Sequence, residues 1–148
     1  MTWRVAACVL ACALFTACAG TPAGSPAVEH YVREGSRAPF SPVVRVGDVL
    51  YLSGQIGARP DGTLPDSLAE QTRLAMENIE AALALAGAGL EDVFKCTVML
   101  DDMSQWAEFN PVYLGYFTPG RLPARSAFGT NGLALGALVE IECLAHAR

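Results

Sequence analysis

The chain has 148 residues, of which 52% are hydrophobic, 17% charged and 8% aromatic, and these values fit one compact domain. Ten Lys plus Arg residues against fifteen Asp plus Glu residues give a formal net charge of -5, with a single lysine. The apolar fraction excludes an intrinsically disordered protein, and the acidic balance argues against a protein that binds nucleic acid through a basic surface.

The N-terminal residues have the pattern of an export signal. A short positive segment, residues 1–4, precedes the apolar residues 5–15, and small residues follow. The apolar run is too short for a permanent membrane span, which needs about 20 residues. Residues 15–18 resemble the lipobox of bacterial lipoproteins, which predicts a signal peptide over residues 1–17 and acylation of Cys18.

Two processing routes for this leader stay open. Cleavage before Cys18 would give a lipoprotein, and Ala19 in place of an aspartate then favours the outer membrane of a Gram-negative cell. Residues 17–19 also fit an ordinary cleavage site, which would release a soluble periplasmic or secreted protein. We favour the lipoprotein, so the protein is expected to contact a membrane only through Cys18.

The segment after the signal is predicted to be a tether, and the rest to be one domain. Residues 20–26 are rich in Gly, Pro, Ser and Ala, so residues 18–35 are interpreted as lipidated cysteine plus flexible tether, and residues 36–148 as the domain. The domain holds Cys96 and Cys143, each in an apolar alternating run. Export permits a disulfide between them, but a buried free thiol is the commoner finding in such runs, and we favour free thiols.

The first half of the domain predicts a hairpin and a helix. Residues 41–46 and 49–53 are β-rich runs on either side of the turn pair Gly47-Asp48. Ser67 is a helix cap, and apolar residues then recur at three- and four-residue steps until the glycines at positions 87 and 89.

The sequence of the second half of the domain predicts a strand, a helix and two further strands. Residues 93–100 alternate, with Phe94, Cys96, Val98 and Leu100 expected on one face. Asp102 or Ser104 can cap a second helix, which is expected to run through Phe117. Residues 124–130 and 138–146 are predicted to be the last two strands. The order β-β-α-β-α-β-β indicates an α+β domain with a mixed sheet and two helices on one of its faces.

Few residue types are available for chemistry. The domain has no Gly-x-Ser-x-Gly, Gly-x-Gly-x-x-Gly or Cys-x-x-Cys motif, and the chain has two histidines, His30 and His146. A metal site or histidine triad is therefore not expected. Any reaction would use carboxylates, arginines, backbone groups and water.

Arg125 and a pair of glutamates are the candidates. A guanidinium at the start of a strand can hold a substrate carboxylate through two parallel hydrogen bonds. Alternation places Glu140 and Glu142 on one face of the last strand, and Val139 and Ile141 on the other. Taken alone, this pattern favours the simpler alternative of two solvated glutamates and a surface arginine.

A resemblance to a known family changes that balance. Pro123-Ala124-Arg125-Ser126, followed fourteen residues later by Glu140-Ile141-Glu142, resembles the C-terminal signature of the RidA/YjgF family of enamine and imine deaminases. Further similar segments are residues 39–42, 49–56, 88–90 and 109–113, together with Gln71, Asn78, Ile79, Tyr116, Phe117 and Leu133. The resemblance extends over residues 35–145.

The resemblance implies a chorismate-mutase-like fold, a homotrimer and ligand sites between subunits. It implies that Arg125 grips the carboxylate of a 2-imino or 2-enamino acid and that Glu140 positions the attacking water. Gly54 and the backbone at Ala127 would donate hydrogen bonds to the ligand, and Phe40 and Asn110 would line its pocket. No metal or organic cofactor is implied.

The expected function is hydrolytic deamination of small 2-imino acids to 2-oxo acids, carried out in the cell envelope. The alternative is a non-catalytic trimeric module that holds a small carboxylate in the same cleft, because a fold does not guarantee an activity. The ribonuclease activity attached to some family names is disfavoured by the acidic net charge and the scarcity of histidine.

Overall fold

The computed structural model describes residues 25–148; the predicted signal peptide, Cys18 and the start of the tether lie outside the described residues. None of the helices in this part is both long and apolar enough to cross a membrane. The elements in chain order are strands β1 (Val28–Tyr31), β2 (Val43–Val46), β3 (Val49–Leu52) and β4 (Gln55–Ile56), helix α1 (Leu68–Leu85), strand β5 (Val93–Leu100), helix α2 (Trp106–Leu114), and strands β6 (Ala124–Gly129) and β7 (Val139–His146).

The strands form one mixed sheet, as the sequence predicts. Their order is β1-β2-β3-β7-β5-β6, and the short strand β4 also pairs with β7. Every pair is antiparallel except β5 and β6, which are parallel because α2 carries the chain back between them. The C-terminal strand β7 is therefore central, and β6 is an edge strand.

Helix α1 forms where its capping residue and apolar stripe predict it. The Ser67 hydroxyl accepts a hydrogen bond from the Glu70 backbone N–H at 3.3 Å, and Gly87 after the helix has a φ of +71°. The buried stripe packs against β4 and β7. Buried Gln71 donates to the Pro65 carbonyl at 2.7 Å and accepts from the Leu138 N–H at 2.8 Å. The first bond ties α1 to the loop before it, and the second joins α1 to the loop that leads into β7.

Two boundaries differ from the sequence predictions. The segment Val28–Tyr31, placed in the tether by its composition, is a strand that pairs with β2. Its alternation is short and its side chains are mostly exposed, so no apolar pattern marks it. Helix α2, expected to run through Phe117, ends at Leu114, because Gly115 follows and the next N–H groups make tight i to i−3 hydrogen bonds.

One side-chain assignment in β5 is also wrong. Strict alternation places Phe94 on the same face as Cys96, yet Val93 is 7% exposed and Phe94 is 45% exposed. The pairing of β5 with β7 shifts register between Val93 and Lys95, which is the signature of a β-bulge. The extra residue at the bulge exchanges the faces of Val93 and Phe94. From Lys95 onward the strand keeps the predicted alternation.

The structure joins Cys96 and Cys143 in a disulfide, contrary to the free thiols that we favoured. The two residues are direct partners in the β5–β7 ladder, with their Cα atoms 4.1 Å apart, and both are buried. Sequence alone could not show this, because the residues are 47 positions apart and only the pairing of β7 with β5 brings them together.

The disulfide is expected to stabilise the fold strongly. Closing a loop of 47 residues removes unfolded-state entropy worth about 4 kcal/mol. We expect the double variant Cys96→Ala/Cys143→Ala to lose about 4 kcal/mol of unfolding free energy in urea denaturation. Wild type in reductant should fall to the value of the variant, and the variant should not respond to reductant. Equal stability of wild type and variant without reductant would contradict the bond.

Candidate functional site

The sheet face that the helices leave uncovered carries both glutamates. Val139 and Ile141 are fully buried on the helix side, so Glu140 and Glu142 point to the opposite side. Cross-strand pairing places Glu140 beside Met99 and Glu142 beside Thr97, and Phe128 and Ser126 lie one strand further along the same two rows. A pocket of about 580 Å³ opens on this face, and its lining residues include Phe40, Tyr51, Ser53, Gly54, Lys95, Thr97, Glu140 and Glu142.

The Glu140 side chain packs directly against Gly54. A Cβ atom added to Gly54 would lie 2.9 Å from Cδ and 3.1 Å from Cγ of Glu140. The backbone of Gly54 does not adopt a positive φ, so the absence of a side chain here serves the close approach of Glu140 and not a special backbone conformation. The glycine thereby fixes where the carboxylate can lie.

Gly54→Ala is expected to move the Glu140 carboxylate with little cost to folding, because the displaced atoms end a flexible side chain. A shift of about 1 Å in a reacting group can lower turnover by about 10²-fold, so for any reaction that uses the Glu140 carboxylate we expect kcat to fall by that factor. Gly115→Ala is the matched control, since Gly115 has an ordinary φ of -62° and lies at the end of α2. Unchanged kcat in Gly54→Ala would contradict the role of this contact.

Lys95 is a pocket residue that we did not predict as part of the site. Its Nζ donates to Ser126 Oγ at 2.8 Å, and it shares the uncovered face with Glu140 and Glu142. The strand alternation places Lys95 correctly beside Thr97 and Met99. The two glutamates, however, come from a strand 45 or more positions away, so only the β5–β7 pairing brings the charges into one pocket.

Arg125 lies on the other side of the sheet, beneath α2. It pairs with Cys96, whose side chain is in the core, so the Arg125 side chain also points to the helix side. The guanidinium carbon lies 4.6 Å from the ring centre of Trp106 and 4.8 Å from that of Tyr113, over each ring. Arg125 is therefore held at the edge strand against aromatic side chains.

The guanidinium has no acidic partner within residues 25–148, where the recorded ion pairs are those of Arg148 with Glu91 and Asp92. Its Nη1 is buried and has no hydrogen-bond acceptor in this part of the chain, and the Asn110 Oδ1 and Tyr113 hydroxyl oxygen are likewise buried without partners. Burial raises the pKa of Tyr113 to about 12 against the opposing effect of Arg125, so the phenol is neutral near pH 7 and does not offset the arginine's charge.

The six predicted site residues fall into two groups of three. Phe40, Gly54 and Glu140 line the pocket on the uncovered face. Arg125 and Ala127 point from β6 toward the helix side, and Asn110 lies on α2. We call these groups the carboxylate half-site and the arginine half-site. Within one chain the sheet separates them, so they cannot surround one small ligand together.

Residues 32–147 match the family model described as Endoribonuclease L-PSP. The chain belongs to this family. A RutC family protein of Pyrococcus horikoshii is 39% identical over 110 residues, covering 73% of this chain and 86% of that protein. A mouse protein named 2-iminobutanoate/2-iminopropanoate deaminase is 38% identical over 109 residues, covering 72% and 80% respectively.

Solved structures share the fold of this L-PSP family member. The crystal structure of the YjgF gene product from E. coli matches with a TM-score of 0.74 and 30% identity, covering 81% of this chain and 99% of that one. The α+β fold with a mixed sheet and two helices is therefore that of the RidA/YjgF proteins.

The side chains of this family member offer anion binding and acid–base chemistry. Among residues 25–148 no cluster of three or more His, Cys, Asp or Glu side chains is arranged to hold a metal ion. Among residues 25–148 the arginine half-site presents guanidinium donors with no counter-anion, and the carboxylate half-site presents the Glu140 carboxylate beside Gly54 in the pocket.

Proposed function

We propose that this L-PSP family protein hydrolyses 2-imino acids, and the enamines that tautomerise to them, to 2-oxo acids and ammonia. The observation that carries the proposal is the guanidinium of Arg125, which is partly buried and, within the part of the chain that the structure describes, lacks an acidic partner and keeps a buried donor free. Such a group binds an anion strongly, because a carboxylate supplies both the missing charge and the missing acceptors. The name of the mouse relative supplies the substrate class.

In this proposal Arg125 anchors the substrate carboxylate through its planar fork. The backbone at Ala127 donates a hydrogen bond to the ligand, and Asn110, whose side-chain oxygen is buried without a partner among residues 25–148, lines the same cleft. Phe40 and the backbone of Gly54 close the pocket from the carboxylate half-site. The anchored carboxylate orients the adjacent C=N carbon, which is the electrophile.

Glu140 positions the water and moves its proton. An enamine first takes a proton at its β-carbon and becomes the imine. Water then adds to the C=N carbon while Glu140 accepts one of its protons and passes it to the nitrogen, which gives a neutral tetrahedral amino alcohol. Glu140 next takes the hydroxyl proton and delivers it to the same nitrogen, so the C–N bond breaks and ammonia leaves as the C=O bond of the 2-oxo acid forms. The sum is imine plus water to ketone plus ammonia.

The separation of the half-sites supports sites between subunits, and the family resemblance implies that the assembly is a homotrimer. The uncovered face exposes Tyr51 at 47% and Phe128 at 49% beside the charged pocket, which suits burial against another protein surface. Strand β6 is an edge, so the arginine half-site lies where a neighbouring copy can approach. A second copy that brings its Glu140 against Arg125 completes the site.

Ribonuclease activity, which the family description names, is not part of the proposal. The net charge of -5 opposes binding of a phosphate backbone. His30 lies on β1, where its ring nitrogen pairs with Ser41 at 3.2 Å, and His146 lies at the end of β7. Neither histidine lines the pocket beside Glu140.

We also propose that the protein works outside the cytoplasm, anchored to the outer membrane through acylated Cys18. The charged start, apolar run and small residues of the leader support export. The Cys96–Cys143 disulfide also supports it, because such bonds persist in oxidising compartments. Mass spectrometry of the mature N-terminus separates an acylated Cys18 from an ordinary cleavage product.

The activity is tested on the full chain purified in detergent. An amino acid oxidase generates the imine, semicarbazide traps what remains, and the trapping rate is compared with and without the protein. Wild type should lower the amount trapped, and Arg125→Ala should not. Wild type that binds 2-oxobutanoate in calorimetry yet never lowers the amount trapped would instead support the non-catalytic binding module.

A further inference from the structure

A row of aromatic side chains runs along α2 on the side that faces Arg125. Trp106, Phe109 and Tyr113 are spaced at three- and four-residue steps, so they share one face of the helix. Neighbouring rings in the row lie 5.5 Å and 5.4 Å apart, and Phe117 continues it at 5.0 Å from Tyr113. The row is thus a continuous aromatic stack.

The guanidinium of Arg125 rests on this stack at its Trp106 end. Its central carbon lies over the Trp106 and Tyr113 rings at 4.6 Å and 4.8 Å, and 6.0 Å from the ring of Phe109. The faces of aromatic rings attract a cation but accept no strong hydrogen bond. The rings therefore hold the charge in place, and the N–H donors stay available to a ligand.

An acidic partner would have the opposite effect. A carboxylate from the protein would occupy the N–H fork and compete with the substrate for it. Within residues 25–148 Arg125 has no such partner, and Tyr113 stays neutral near pH 7 because burial raises its pKa to about 12. The aromatic rings are the groups that the structure provides to orient this cation.

We infer that Trp106 is a positioning residue that orients Arg125 for carboxylate binding, and this inference rests on the proposed function. Trp106 is the half-buried end of the stack, whereas Tyr113 is 2% exposed and belongs to the core. Removing the indole therefore frees the guanidinium without opening the centre of the domain. The effect is expected on substrate binding, because Trp106 contacts Arg125, the residue that anchors the substrate carboxylate.

The test compares two substitutions at position 106 in the full chain. Trp106→Leu keeps an apolar side chain but removes the ring, and Trp106→Phe keeps a ring. Loss of the cation–π contact leaves the guanidinium less well oriented for the carboxylate. We therefore expect Trp106→Leu to raise the KM for imine and the Kd for 2-oxobutanoate by about tenfold. The kcat should stay within about twofold of wild type. Trp106→Phe should restore most of the affinity.

Phe117→Leu is the matched control. Phe117 belongs to the same aromatic row and is 8% exposed, so its loss removes comparable packing, but it is not among the rings over Arg125. We expect its KM and Kd to match those of wild type. A rise in Kd as large as that of Trp106→Leu would assign the effect to loss of packing and overturn the inference.

Fluorescence gives a readout that a merely structural role would not move. The chain has two tryptophans, and Trp3 lies in the proposed signal peptide, so Trp106 is the only tryptophan of the proposed mature protein. Titrating the mature protein with 2-oxobutanoate should change the Trp106 emission and saturate at the calorimetric Kd, and Arg125→Ala should abolish the change. If the Trp106 emission stays constant during the titration although calorimetry shows that wild type binds 2-oxobutanoate, the inference is contradicted.

The outcomes separate the inference from the proposed function. Binding that survives Arg125→Ala would overturn the carboxylate anchor itself. Binding that is lost in Arg125→Ala but equal in wild type, Trp106→Phe and Trp106→Leu would leave the anchor in place and overturn only the role of Trp106.

Discussion

Glu140→Gln is expected to lower kcat for imine hydrolysis by about 10²–10⁴-fold, the usual contribution of a positioned acid–base group. Glutamine keeps the size of the side chain and its packing against Gly54, but it cannot take a proton from water. The KM for imine and the Kd for 2-oxobutanoate should stay within a few-fold of wild type, since Arg125 still binds the carboxylate. Steady-state kinetics by semicarbazide trapping and calorimetry measure the two quantities.

Glu142→Gln is the matched control for this substitution. Glu142 lies on the same face and in the same pocket, two residues along β7, but it is exposed and paired with Thr97 instead of resting on Gly54. We expect its kcat to stay within a few-fold of wild type. If the two variants lose equal activity, the assignment of proton transfer to Glu140 alone is wrong.

Arg125→Ala is expected to raise the Kd for 2-oxobutanoate by about 30- to 5000-fold, the range that corresponds to losing one member of a desolvated, hydrogen-bonded charge pair. The substrate then loses its only charged anchor in the arginine half-site. The KM for imine should rise in parallel. Calorimetric titration of wild type and variant at matched ionic strength gives the ratio.

Arg125→Lys distinguishes the planar fork from the charge. Lysine keeps a cation but offers a point charge in place of two parallel N–H donors, and it stacks less well on Trp106 and Tyr113. We expect a Kd between those of wild type and Arg125→Ala. An Arg125→Lys protein as tight as wild type would show that charge alone suffices and would contradict bidentate binding.

Local patterns in the sequence predicted most of the fold because each pattern reflects a nearby interaction. The Gly47-Asp48 pair gave the β2–β3 hairpin, Ser67 and the apolar stripe gave α1, and the alternation of β7 placed Glu140 and Glu142 on the uncovered face. In each case the residues involved lie within a few turns or one strand of one another, so their spacing alone specifies the geometry.

Features that depend on long-range pairing were not predictable in this way. The disulfide requires β7 to lie beside β5, and the bulge at Val93 is an irregularity of that same pair. The contact between Arg125 and α2 requires β6 to run parallel to β5 under a helix formed earlier in the chain. The local hydrophobic periodicity of a sequence does not show which strands become neighbours in the sheet.

In the candidate site, too, the residue types were predictable from the sequence but their arrangement in space was not. The residues alone nominate an arginine and a pair of glutamates, and the family resemblance assigns roles to Arg125 and Glu140. Neither predicts that one sheet separates them, because the side of the sheet that Arg125 takes is set by its pairing with the core residue Cys96. Trp106 had no signal of its own, since its three-residue step to Phe109 is typical of any packed helix.

The most direct test of the split site is complementation between inactive variants. Arg125→Ala protein keeps the carboxylate half-site, and Glu140→Gln protein keeps the arginine half-site, so a site between subunits is intact wherever the right two copies meet. Equal amounts of both chains, unfolded together and refolded into trimers verified by light scattering, should recover about a quarter of wild-type activity, as random cyclic assembly requires. A mixed assembly no more active than the separate variants would contradict a site shared between protomers.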